Sequence, residues 1–293
     1  MEGIKNTCGK DYPVVVRTSG NEDFYGGNSI EDALTQAIFF EQANADAIHI
    51  SYGSAIESYY TKSGFNTDNI RKVKEAVNIP VIGVGRINDP TLALAMVKNG
   101  TADFVALGRQ SICDPHFPNK VKEGRLDEIF TCTGCMQRCL YTNMFEPGYG
   151  TSCMINPFSG KEGLWNIEPT TTKKNILIVG AGPAGLQAAW ILAKRGHQVT
   201  LYEKESIPGG QYRLACIPSM KQDLAKTIST YTTLCKKYGV KMVFNQAVTN
   251  EFLNQQNADE IIIATGSLPV IPRSIPGIMQ ENQVLANDVL SSK

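Results

Sequence analysis

Four cysteines, Cys132, Cys135, Cys139 and Cys153, follow the spacing C-x2-C-x3-C-x13-C, and three of them fall in the run CTGCMQRC. Cluster ligands must be thiolates, and four from one short stretch can wrap a cubane without help from distant chain. A tetrathiolate zinc knuckle also uses C-x2-C units, but generally two pairs, whereas here one pair is extended by a third cysteine at x3. The pattern favours iron–sulfur, with zinc as the alternative.

A second constellation is Gly180-Ala181-Gly182-Pro183-Ala184-Gly185, which follows an apolar run and opens a helical one. In a G-x-G-x-x-G turn the first glycine allows the tight bend and the second admits a pyrophosphate. The third lets helix pack on strand. The helix N-terminus then faces the phosphates with free N–H groups and a positive dipole end. Glu203 closes the following strand about 20 residues on, placed for a ribose 2′-hydroxyl. A third constellation lies earlier. Gly85-Arg86 and Gly108-Arg109 end successive strands, where glycine gives backbone access and arginine neutralises a phosphate. Arg17 is read as ending its own strand, where a guanidinium could meet the electron-rich edge of a reduced flavin, although by itself it reads more simply as a salt-bridged strand end.

The elements that must position these groups are strand–helix units. Residues 1–125 hold four strand candidates, at 13–17, 47–51, 80–84 and 103–107, and the intervening stretches are amphipathic. Ser29 with Asp32 opens one helix as a capping box, with Leu34 and Ile38 marking its buried face. Asp89-Pro90 starts another and Asn99-Gly100 ends it. Alternation of this kind implies a parallel sheet. Four units are half of a closed eight-stranded barrel, so the expectation is the C-terminal half of a TIM barrel, in a fragment beginning inside a domain. Residues 126–160 form the cysteine-rich segment and 161–174 a polar linker. From 175 to 293 runs a Rossmann-like domain with strands at 176–179, 198–202, 241–244 and 260–263 and helices at 184–195 and 220–238.

Lys+Arg and Asp+Glu are both 28, so charge provides no attraction to nucleic acid or an anionic membrane. The apolar window 176–193 is broken by Gly180, Gly182, Pro183 and Gly185, which suits a buried strand and helix better than a membrane span. Eight cysteines without a secreted-type framework point to a reducing cytoplasm. Cys8, Cys113, Cys216 and Cys235 read as small buried or half-buried residues. His49 reads as a packed, hydrogen-bonded mid-strand residue, and His116 and His197 as loop residues without chemistry.

Taken together, the Tyr12–Arg17 run, Val84-Gly85-Arg86-Ile87-Asn88-Asp89-Pro90, Gly108-Arg109, CTGCMQRC and GAGPAG are similar to the Old Yellow Enzyme-like iron–sulfur flavoenzymes. These include the 2,4-dienoyl-CoA reductases, enoate reductases, bile-acid-pathway enoate oxidoreductases and trimethylamine dehydrogenases. The resemblance implies FMN held by Arg17 at the pyrimidine edge and by Arg86, Gly108 and Arg109 at the phosphate. It implies a 4Fe–4S cluster on the four cysteines. Gly209-Gly210-Gln211 and Ala264-Thr265-Gly266 resemble two-dinucleotide-binding reductases, which implies FAD on Gly180, Gly182, Gly185, Glu203, Gln211 and Gly266. NAD(P)H would be the donor and a small unsaturated molecule the substrate.

Three departures matter. The last two cysteines are spaced slightly wider than the resemblance implies, which an extra loop around Pro147-Gly148 would absorb. No second G-x-G-x-x-G for the nicotinamide follows, so the FAD-binding domain is read as incomplete. In the dienoyl-CoA branch a histidine lies after the strand matched by 47–51, but 52–60 contains none, and Ile56 falls near its place. That favours an enoate-type activity. Glu57, Tyr59 and Tyr60 lie where barrel enzymes put their chemistry, but no catalytic residue is assigned. An amine dehydrogenase or NADH oxidase would use the same wiring, and a non-catalytic zinc-stabilised nucleotide-binding protein is the reading from another class. As a fragment, the chain is expected to show weak or no FMN retention and no NAD(P)H-dependent turnover.

Overall fold

The computed structural model describes residues 1–53, 61–146, 148, 150–278, 280 and 283–291, so Ile56, Glu57, Tyr59, Tyr60 and Pro147 lie outside the described residues. The chain divides into two compact units. One comprises Met1–Leu126 with Thr131–Gly160, the other Asp127–Phe130 with Lys161–Lys293.

The first unit runs α1 (Glu2–Cys8), β1 (Val15–Ser19), α2 (Ile30–Gln42), β2 (Ala47–Ser51), α3 (Thr67–Ala76), β3 (Val81–Gly83), α4 (Pro90–Lys98) and β4 (Phe104–Val105). The short helices α5 (Gly108–Cys113), α6 (Phe117–Lys122) and α7 (Tyr141–Phe145) follow. Its sheet has the order β1-β2-β3-β4 with every pairing parallel. Side chains alternate across a strand, and Ile48, Ile50 and Val81 face a helical layer that supplies Ala37, Ile70, Val73 and Met96. The opposite face carries Arg17 registered with His49, and Ile82 registered with Phe104.

The helix signals act as read. Ser29 and Asp32 form the capping box, and Asp89 accepts from Thr91 N–H ahead of Pro90. Three expectations need correction. Strand β1 continues to Ser19, so Arg17 sits mid-strand rather than at its end. Helix α2 buries Ala33 and Ala37, with Leu34 only partly covered and Ile38 exposed. Close helix–sheet packing selects the small residues for the contact line, which turns Ile38 outward. Cys8 is exposed, on a helix with no buried residue.

The second unit runs β5 (Asn175–Val179), α8 (Pro183–Lys194), β6 (Gln198–Tyr202), α9 (Tyr212–Ala215), α10 (Asp223–Lys237), β7 (Lys241–Val243), α11 (Asn250–Asn254), β8 (Glu260–Ile263) and α12 (Ala286–Leu290). Its parallel sheet has the order β7-β6-β5-β8. The apolar window becomes β5 and α8, and among the described residues no helix is long and apolar enough to cross a membrane. Residues 127–130 belong to this unit because Phe130 packs on Trp190 and Tyr231. Thr230 Oγ1 also donates to Ile129 O at 2.9 Å, and Lys237 pairs with Glu128 at 2.5 Å.

The two isoleucines provide a test of the packing. Ile48→Ala should lose about 2–5 kcal/mol of stability in the first unit. Ile38→Ala should stay within about 0.5 kcal/mol. Urea unfolding midpoints measure both, and equal losses would show that the buried face of α2 is misassigned.

Candidate functional site

At the C-terminal ends of the first unit's strands, Arg17, Arg86 and Arg109 line one cleft together with Ser51, Tyr52, Asn88, Gly108, Gln110 and Cys132. Among the described residues no Asp or Glu lines it. Three guanidinium groups in such a lining favour an anion. Arg17 donates to Ser51 Oγ at 2.9 Å, which holds the guanidinium toward the end of the neighbouring strand. A Cβ on Gly108 would meet nothing within 4 Å, so its backbone lies open, whereas one on Gly85 would come 2.7 Å from Asn66 Cβ. Gly85 is therefore a packing glycine, and Gly108 alone presents open backbone of the kind expected of both. Arg86 is buried, with φ of 46°, and its guanidinium donates to the carbonyls of Thr61 and Thr133, the latter at 3.3 Å. It lines the cleft and also ties the cysteine segment to β3's end. This donor set, arginines and open backbone without carboxylates, fits a flavin phosphate.

Several polar residues that the sequence reading gave no role organise this end. Asn66, fully buried, donates to Ser51 O at 3.1 Å and Val84 O at 2.9 Å, joining the ends of β2 and β3. Asn88 Nδ2 donates to Cys132 O at 2.8 Å, and Gln110 Oε1 accepts from Cys132 N–H at 2.9 Å. Nothing in local spacing marks them, because their partners lie between 15 and 44 residues away. His49 differs from expectation: its Nε2 is buried without a hydrogen-bond partner among the described residues. Burial lowers its pKa, and the Arg17 guanidinium adds to the effect.

The four cysteines are half-buried. Cys132 lies within electrostatic reach of Cys135 and Cys153, as does Cys139. Among the described residues no three His, Cys, Asp or Glu side chains gather as they would round a single ion. The loop bends through Gly134 and Met136, both at positive φ, which brings N–H groups onto sulfur. Gly134 N–H serves Cys132, Leu140 N–H serves Cys139, and Ile155 N–H donates to Cys153 Sγ at 3.4 Å. Thiols supplied with backbone donors fit cluster thiolates, whose charge such bonds stabilise.

Burial pushes the Cys132 thiol up to about 11 and raises that of Cys139. Cys153 falls to about 6, chiefly because the Cys113 thiol donates to it. That bond, with burial, raises Cys113 well above the usual thiol range. Cys113 is buried, as its sequence context suggests, and the fold also sets it against Cys153.

In the second unit the glycine turn divides by role. A Cβ on Gly180 would lie 2.4 Å from Ala264 O and one on Gly185 1.9 Å from Gly180 O, but one on Gly182 would meet nothing within 4 Å. The first and third glycines serve the protein's own packing, and the second leaves an open cradle at the N-terminus of α8. Gly209 N–H donates to Ala181 O at 2.7 Å, bringing Gly210 over Gly182. Gln211 donates to Ser267 O and accepts from Asn287 Nδ2 at 3.3 Å, and Gly266 lies at positive φ with open space beside it. Glu203 is buried, and its carboxylate accepts from Ala181 N–H at 2.7 Å and Glu205 N–H at 3.0 Å. It braces the turn. This cradle fits a dinucleotide pyrophosphate.

Residues 1–128 match the NADH:flavin oxidoreductase / NADH oxidase family, and residues 174–293 match the pyridine nucleotide-disulphide oxidoreductase family. An NADH oxidase of Thermoanaerobacter brockii is 38% identical over 99% of this chain and 46% of its own length. A cinnamate reductase of Clostridium sporogenes is 32% identical over 92% of this chain and 43% of its own. The solved structure of a 2-naphthoyl-CoA reductase complex superposes with a TM-score of 0.93 at 33% identity, covering 99% of this chain and 45% of that one. The chain thus spans about half the length of the curated relatives it matches. Residues 1–128 belong to the NADH:flavin oxidoreductase / NADH oxidase family, and residues 174–293 form a pyridine nucleotide-disulphide oxidoreductase segment.

Two predictions follow from this geometry. Gly185→Ala should unfold or strongly destabilise the second unit, whereas Gly182→Ala should keep its melting temperature and weaken FAD binding; calorimetry and FAD titration separate the two. Equal melting losses would sink the division of roles. In the iron-free protein, Cys153 should alkylate with a rate that rises through about pH 6 and levels above it, because its thiolate predominates there. Cys132 should stay slow until the pH nears 11. Peptide mapping after timed iodoacetamide labelling reads both, and coincident profiles would refute the assignment.

Proposed function

We propose that this member of the NADH:flavin oxidoreductase / NADH oxidase family is an NAD(P)H-dependent iron–sulfur flavoprotein that reduces an activated carbon–carbon double bond of the enoate or enone type. The observation that carries the reading is the cleft in which Arg17, Arg86 and Arg109 converge, with no carboxylate among the described lining residues, and which Cys132 of the thiol segment also lines. The similarity to a cinnamate reductase and to a 2-naphthoyl-CoA reductase supports an unsaturated acyl or enoate substrate. In this reading residues 1–125 are the second half of a (β/α)8 barrel, 126–160 the cluster segment, 161–174 a linker and 175–293 part of an FAD-binding domain.

Each residue has a defined task. Arg86, Gly108 and Arg109 bind the FMN phosphate, a doubly charged group that guanidinium groups and open backbone N–H hold best. Arg17 faces the pyrimidine edge, where a fixed positive charge favours the electron-rich form of the ring. Cys132, Cys135, Cys139 and Cys153 hold a 4Fe–4S cluster. Gly182 gives the FAD pyrophosphate its approach to the start of α8, Gly180 and Gly185 keep the turn closed, and Glu203 reaches the ribose. Gln211 and Gly266 line the remaining approach. When bound, the groups supply the redox chemistry: hydride acceptance at FAD, single-electron carriage by the cluster and hydride donation at FMN. The similarity to an NADH oxidase keeps one second reading, in which dioxygen replaces the enoate.

Anaerobically prepared protein should contain iron, labile sulfide and FAD, with FMN held weakly and occupying its cleft only when supplied in excess, and Cys135→Ser should lose the iron and sulfide while keeping FAD. After stoichiometric reduction with dithionite, cinnamate should reoxidise the flavin under argon. Reoxidation by air alone would select the oxidase reading, and bleaching of the oxidised flavin by an amine would select a dehydrogenase. Zinc with neither sulfide nor flavin would overturn the proposal.

A further inference from the structure

The peptide of Cys132 lies outside any strand ladder, yet both of its polar groups are held by side chains from two different strand ends. Gln110, which follows β4, accepts the Cys132 N–H at 2.9 Å, and Asn88, which follows β3, donates to the Cys132 carbonyl at 2.8 Å. Both side chains are nearly inaccessible, at 2% and 3% exposure, so the fold fixes their positions. The Asn88 amide has a defined orientation because its Oδ1 accepts from Ser63 Oγ at 2.7 Å, which turns Nδ2 toward Cys132. Ser63 Oγ also lies 2.8 Å from Arg86 O. Arg86 in turn donates to the carbonyl of Thr133, the next residue along. Gln110 immediately follows Arg109, and Asn88 lies two positions after Arg86, so the groups clamping the thiol loop and those facing the anion cleft share two short segments. Gln110, Asn88 and Cys132 themselves line that cleft.

We infer that Gln110 and Asn88 are positioning residues that couple the cleft to the thiol loop, so that occupation of the cleft by a flavin phosphate and retention of the cluster on Cys132 reinforce one another. This rests on the flavin and cluster reading above. A phosphate drawn in by Arg86 and Arg109 restrains the two segments, and the restraint passes to the Cys132 peptide through these two hydrogen bonds. By linkage, a loop held in place by the cluster raises affinity for the phosphate by the same factor.

The test uses the 293-residue chain loaded anaerobically with iron and sulfide, and reads the rate of iron release to a chelator. Saturating FMN should slow release by about 5-fold or more, riboflavin, which lacks the phosphate, should have less effect, and chelator-stripped protein should bind FMN correspondingly more weakly. Gln110→Met removes the acceptor and Asn88→Leu the donor at near-constant volume. Each should bring the FMN effect to within about 2-fold of none and weaken FMN by the factor lost. A purely structural role would speed release equally with and without FMN and leave the ratio unchanged, which would overturn the inference. If one variant does not fold, the other decides. If neither does, the parent protein decides, because equal protection by FMN and riboflavin, or none by either, is fatal. Protein that takes up no iron and sulfide, or no FMN, refutes the earlier reading, and this one falls with it.

Discussion

Peptide groups that leave a parallel ladder at the strand ends must find new partners, and in the first unit that requirement organises everything around the cleft. A buried N–H or carbonyl left without a partner costs about 1–3 kcal/mol, so the strand ends cannot simply open into loops. Asn66 joins the carbonyls of Ser51 and Val84, and Asn88 and Gln110 clamp Cys132. Arg86 reaches Thr61 and Thr133. Each bond made for the backbone also fixes the place of a side chain or thiol that chemistry would use.

The glycine turn of the second unit rests on a different constraint, exclusion of volume. Gly180 and Gly185 lack a Cβ because carbonyl oxygens of Ala264 and Gly180 occupy that space. Gly182 lacks one where the protein leaves room. Glu203 then braces the turn through Ala181 N–H, so the residue suited to a ribose also keeps the cradle in shape before any nucleotide arrives. A carboxylate oxygen has more than one lone pair, which makes the two tasks compatible.

Charge is distributed to match. The cleft of the first unit is cationic, while the overall balance of 28 basic and 28 acidic residues keeps the protein neutral. Arg109 faces the cleft and also pulls down the thiols of Cys132 and Cys139, against the burial that raises them. Burial makes isolated thiolates costly here. The backbone donors at Gly134, Leu140 and Ile155 offset part of that cost.

Much of this was legible in the amino-acid order. Local rules determined the caps at Ser29 and Asp89, the strands at 47–51, 198–202 and 260–263, and the G-x-G-x-x-G turn, because each depends on neighbours within a few residues. Residue type and spacing likewise singled out the four cysteines and the arginines beside glycine. Tertiary structure decided what depends on distant neighbours. Which face of α2 is buried turned on the closeness of helix to sheet, so Ala33 and Ala37 displaced Ile38. Arg17 fell mid-strand because pairing with β2 continues to Ser19. Asn66, Asn88, Gln110 and Cys113 gained their parts only when chain far away in sequence came within a hydrogen bond of them. Side chains that satisfy buried peptide groups carry no periodic or local mark, so only the folded backbone, with its unpaired groups in place, reveals which ones are needed.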